Sequence, residues 1–183
     1  MNVQISKKHI AALALACTFT ALSSVTLAGG SHGHGHAKKA ESQGHGEEGH
    51  AKIDYAKVEE HAFGKASDPE HAHTTITIDM LDKLRFAPES VQIKRGDTVR
   101  FVVKNSGKLM HEMVLGTDES LKEHAAVMMK FPGMEHDEPH MAHVAPGKQL
   151  VMGWQFTKAG TFNFGCLVPG HYEAGMKGTI IVQ

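Results

Sequence analysis

The stretch CLVPGHYEAGM, residues 166–176, spaces a thiol, an imidazole and a thioether as Cys-x4-His-x4-Met: Cys166, His171 and Met176. Soft sulfur together with imidazole suits copper better than any hard cation, and copper tops the divalent affinity order. The loop follows one strand-like run and turns back into another at Lys177, so it can offer all three donors to a single point. A second imidazole would complete a trigonal plane of two His and one Cys with a weak axial Met. His111, in KLMHEMVLG behind the turn at Asn105-Ser106-Gly107, is the candidate. Such a set serves Cu(I) and Cu(II) passably, so little rearrangement accompanies one-electron exchange.

The thiol would stand alone in the mature chain. Residues 1–28 read as a secretory signal peptide: Lys7 and Lys8, an apolar run from Ile10, and Thr26-Leu27-Ala28 at the cleavage point. Cys17 leaves with that leader. An unpaired cysteine in an oxidising exported compartment is a dimer bridge, a buried bystander or a functional thiol. The expected location is the periplasm, with no membrane-embedded segment once the leader is gone. The whole chain carries a formal charge of -1. That balance gives no reason to expect nucleic acid or anionic lipid as a partner.

Composition divides what remains. Residues 29–73 hold many His and charged residues and few large apolar ones, which predicts a flexible arm. Within it His32, His34, His36, His45 and His50 alternate with Gly or small residues. Neutral imidazoles on a flexible chain can wrap Cu(II), Ni(II) or Zn(II) weakly; a solvated linker is the plain alternative.

From Thr74 to Gln183 the hydrophobic period becomes two. TTITIDM (74–80), SVQIKRGDTVRFVVKN (90–105, with a turn at Arg95-Gly96-Asp97), a run near 110–115, QLVMGWQF, GTFNFGC and KGTIIVQ all alternate. The pattern predicts antiparallel strands with one buried face, 90–105 forming a hairpin. One helix, DESLKEHAAVMMKF (118–131), interrupts them and places Leu121, Ala125 and Met128 on one face. Asp118 or Ser120 would cap it, with Ser120 and Glu123 as a capping box. About seven strands with one inserted helix describe an all-β, Greek-key β-sandwich.

A second cluster lies in MMKFPGMEHDEPHMAH: Met134, His136, His140, Met141 and His143 could form an accessory copper site, or be helix core and solvated loop. Met110 and Met113, which flank His111, read as packing.

These motifs resemble those of the cupredoxins, the small type 1 blue copper proteins, over roughly residues 74–183. RFAPESVQIKRGDTVRFVVKN looks like the family's early hairpin and GTFNFGC like its penultimate strand. The Cys-x4-His-x4-Met spacing is similar to that of rusticyanin, and CLVPGH resembles the matching stretch of azurin. The resemblance implies His111, Cys166 and His171 as strong copper ligands and Met176 as the axial one. The His-rich arm, MHEMVLG and the helix running into FPGMEHDEP look most like periplasmic CopI-type copper-tolerance cupredoxins. Two departures stand out. Glu112 follows the first His where azurin-like sites have Asn, and Leu167 follows the Cys where azurin has a hydroxyl residue. The support around the metal must be built differently, and either a blue or a greener site is open.

The expected function is copper tolerance with capacity for one-electron transfer; the alternative is a dedicated electron carrier with a redox partner protein. An enzyme such as a copper oxidase would need further paired-His motifs on folded strands. His71-Ala72-His73 is the single such pair near the domain, so the chain reads as a non-enzyme.

Overall fold

The computed structural model describes residues 53–183 apart from Glu135. The expected leader and the arm through residue 52, with His32, His34, His36, His45 and His50, lie outside the described residues.

Two sheets face each other. One orders six strands as β1 (Glu60–His61), β2 (Gly64–Ala66), β9 (Gln149–Gln155), β6 (Thr98–Asn105), β3 (Thr74–Leu81) and β4 (Arg85–Ala87). The other orders five: β5 (Ser90–Ile93), β11 (Lys177–Val182), β10 (Gly160–Gly165), β7 (His111–Gly116) and β8 (Met141–Val144). Helix α1 (Asp118–Lys130) is inserted between β7 and β8. The architecture is the expected sandwich with one helix. Its strands exceed the expected number because β1, β2, β4 and β8 are each at most four residues long, too short to show a period.

Between the sheets the alternating residues form one apolar core that includes Ile78, Phe86, Phe101, Trp154, Phe156 and Phe164. Burying side chains of this size stabilises the fold by about 1.5–3 kcal/mol each before chain entropy is counted. A second, smaller cluster lies under α1: Val114, Leu121, Ala125, Met128, Met141, Leu167 and Tyr172. Strand β7 is therefore buried on both faces, with Met113 and Leu115 in the main core and Val114 under the helix.

Three expectations need correction. Residues 90–105 are not a hairpin. β5 pairs in parallel with β11, while β6 pairs with β3 and β9 in the other sheet. Alternation identifies a buried face but not a partner, and both strands face the same core from opposite sides. The helix is capped by Thr117, one residue before the first expected cap: Thr117 accepts from the Ser120 amide at 3.1 Å and Ser120 Oγ accepts from the Thr117 amide at 3.0 Å. Asp118 and Glu119 then occupy the first turn, where carboxylates favour the helix dipole.

The third concerns residues 53–73, read as part of the arm. They form β1, β2 and a 3-10 turn at Pro69–His71. Phe63 stacks on Trp154 at a centroid distance of 5.3 Å, and Trp154 Nε1 donates to the Phe63 carbonyl at 2.8 Å. Charged neighbours hide this docking from composition, because a single aromatic and a backbone ladder carry it. The segment sits close against β9. A Cβ on Gly153 would lie 2.0 Å from the Ser67 carbonyl oxygen. Gly153→Ala should therefore destabilise the metal-free protein by about 1–3 kcal/mol in urea unfolding. An unchanged midpoint would show that the segment is not held there.

Candidate metal centre

Three strand ends meet at one end of the five-stranded sheet. β10 runs antiparallel to both β7 and β11, so the residue after β10, the first of β7 and the one before β11 come together. These are Cys166, His111 and Met176. His171 comes from the loop between Cys166 and Met176. That loop closes on itself: Cys166 N donates to Met176 O at 3.0 Å, Met176 N to His171 O at 3.0 Å, and His171 N to Val168 O at 2.9 Å.

The Nδ1 atoms of both imidazoles face the thiol. His171 Nδ1 is 3.3 Å and His111 Nδ1 4.0 Å from Cys166 Sγ. The ligating atoms of these three residues all lie within 4.8 Å of one another, the one such group of three among the described residues. His111, Cys166 and Met176 are wholly buried and His171 is half-buried. Burial lowers the affinity of both imidazoles for a proton, which favours neutral rings with free lone pairs. Burial also pushes the Cys166 thiol up to about 12, so a metal entering here must displace its proton.

The surroundings hold these groups in orientation. His111 Nε2 lies 3.6 Å from Asp82 Oδ1, a carboxylate that also accepts from the Lys108 and Leu109 amides at 2.8 and 3.1 Å. An imidazole with its Nε2 side toward a carboxylate keeps the Nδ1 lone pair for the thiol side. Asp82 lies in the β3–β4 turn, 29 residues before His111, and no local pattern marks it.

Glu112 is the other support. It is 3% exposed, and its Oε1 accepts from the Leu167 amide at 2.8 Å. Its Oε2 meets His143 Nδ1 at 2.9 Å. The acid beside His111 therefore fastens the Cys loop to β7 through its carboxylate. Leu167 needs no hydroxyl; its side chain and the Tyr172 ring pack under α1.

The expected accessory residues scatter. Met141 is wholly buried in the cluster beneath the helix, where its sulfur serves packing. His140 packs against His61, Phe63 and Trp154, and burial drops its pKa to about 4. His143 has both ring nitrogens engaged, Nδ1 with Glu112 and Nε2 with the His136 carbonyl at 3.1 Å. Met134 and His136 line a groove of about 700 Å3 with Met110, Met128, Val168 and Pro169. Met110, read as packing, is half exposed there, whereas Met113 is core. His71 lies in the 3-10 turn and His73 just before β3, away from the strand ends that carry the centre.

Residues 72–183 match the copper binding proteins of the plastocyanin/azurin family. The chain belongs to that family. It is 40% identical over 177 residues to a copper-resistant cuproprotein CopI of Rubrivivax gelatinosus, covering 97% of this chain and 99% of that one. It is 35% identical over 151 residues to a copper-resistant cuproprotein CopI of Pseudomonas aeruginosa, covering 67% and 83%. Both relatives are named as cuproproteins and neither as an enzyme. Among solved structures, the reduced auracyanin of Roseiflexus castenholzii matches with a TM-score of 0.54 at 24% identity, covering 61% of this chain and 98% of that one. Auracyanin B matches with 0.55 at 23%, covering 66% and 96%. These two likenesses concern the fold. The metal of the family is copper, and two neutral imidazoles facing a buried thiol are a donor set that fits it.

The Glu112–His143 contact carries a pH signature. Bonding to Glu112 raises the His143 pKa above its ordinary value. The stabilisation is fully present below the unfolded value of about 6.5 and is lost as pH rises through the raised folded value. His143→Gln should therefore lower the melting temperature of the metal-free protein more at about pH 5.5 than at about pH 9. A gap independent of pH would mean that the pair contributes no charge interaction.

Proposed function

We propose that this protein is an exported cupredoxin of copper tolerance, with His111, Cys166 and His171 as the strong ligands of one type 1 copper and Met176 as its axial ligand. The observation that carries the reading is the convergence of two imidazole Nδ1 atoms on the buried Cys166 thiol. Copper in such a set supplies reversible one-electron exchange. The chain's part is to hold and shield. Asp82 orients His111, Glu112 anchors the loop after Cys166, and α1 covers Leu167 and Tyr172 against water.

Three things favour tolerance over a dedicated electron carrier. Relatives similar over most of the chain are named copper-resistant cuproproteins. The segment before residue 53 is rich in His, a composition that gathers metal and that an electron shuttle does not need. The leader-like start, residues 1–28, would send the protein to the periplasm, where copper first arrives. Within this reading the protein holds copper and passes single electrons, and turnover of an organic substrate is no part of it.

The test is growth of a deletion strain on rising copper. Complementing genes would encode the wild type, Cys166→Ser, or a chain lacking residues 29–52. The last deletion stops before β1, because removing residues 53–73 would take away two strands. Full rescue by wild type alone supports tolerance with both parts contributing. Unchanged growth of the deletion strain would overturn tolerance in favour of electron transfer between other partners.

A further inference from the structure

The groove beside the centre is lined by His136, whose ring meets a second imidazole that the type 1 reading leaves unused. His124 on α1 and His136 in the loop after it face each other, Nε2 to Nε2, at 2.8 Å. Their ring centroids are 4.7 Å apart with planes inclined at 46°. At that distance at most one of the two nitrogens carries a proton, so at least one lone pair points into the contact. Burial and the neighbouring His136 both disfavour the charged form of His124. The two ring nitrogens thus meet at one point, and His136 carries that contact to the edge of the groove.

Thioethers line the groove that His136 borders. Met128 lies one helical turn after His124, on the same side of α1, and lines the groove with Met110 and Met134. Met134 is 43% exposed and Met110 51%, an unusual display of sulfur for a surface that could have been polar. The nearby carboxylate of Glu112 is already engaged by the Leu167 amide and by His143. Neutral nitrogen and thioether donors, without a thiolate, suit a soft monovalent cation in low coordination.

We propose that His124 and His136, with Met128 and Met134 beside them, form a second metal site that binds one Cu(I) ion in the groove next to the type 1 centre. Val168 and Pro169 of the Cys loop form another wall of the same groove. An ion held there waits within the protein's own surface, close to the redox centre. The site is built from residues outside the type 1 set and does not rest on that assignment.

The full mature chain would be titrated anaerobically with Cu(I) against the chelator bicinchoninate. A double variant, His124→Asn with His136→Asn, would be titrated alongside. The expected result is that wild type takes up one equivalent more than the variant. Both proteins should show the same visible band when loaded with Cu(II), which reports the type 1 centre separately. Equal uptake would overturn the proposal. If the variant loses its visible band as well, nitrogen-15 NMR of the wild-type imidazoles decides. Shifts of the His124 and His136 Nε2 signals on adding Cu(I) support the site, and unmoved signals overturn it.

Discussion

A buried carboxylate joins the two halves of the centre. Glu112 sits on the strand that carries His111 and accepts the amide of Leu167, the residue after Cys166. Burying a charge costs several kcal/mol unless it is paired and hydrogen-bonded. Glu112 has both compensations, an amide at 2.8 Å and an imidazole at 2.9 Å. The bond needs β7 and the Cys loop in register, which the β7–β10 pairing supplies, and a dry environment, which α1 supplies by covering Leu167 and Tyr172. The inserted helix therefore belongs to the metal centre's support as much as to the core.

The second dependence is on Asp82. Its carboxylate gathers the amides that precede β7 and approaches the far side of the His111 ring. One acid thus holds the entry of the strand and lies beside its first imidazole. Gly107 permits the approach, because a Cβ there would lie 2.1 Å from Asp82 Oδ1. The two acids act on different parts of the thiol–imidazole cluster. One approaches His111 and the other fastens the loop that carries Cys166, His171 and Met176.

Much of this was legible in the sequence because it is local. Cys166, His171 and Met176 share one short loop, and strands such as Thr98–Asn105 alternate cleanly from Val99 onward. Helix α1 buries Leu121, Ala125 and Met128, as its period requires. What escaped is long-range or brief. Asp82 and His124 reach their partners across elements that no spacing connects. β8 is four residues long and carries His143 on its exposed side, so it read as loop. β1 and β2 are buried in a stretch of charges and depend on Phe63 meeting Trp154, a contact 91 residues apart. The supposed hairpin at 90–105 failed because a turn can carry the chain between sheets as readily as back along one.

The most direct test of the centre is the visible spectrum of the mature protein loaded with Cu(II), beside that of Cys166→Ser. A thiolate bound to Cu(II) gives an intense charge-transfer band, whether the site is blue or green. The band should be present in wild type and absent in the variant, with both proteins folded. A colourless wild-type complex, or a band that survives loss of Cys166, would contradict the assignment of this thiol to copper.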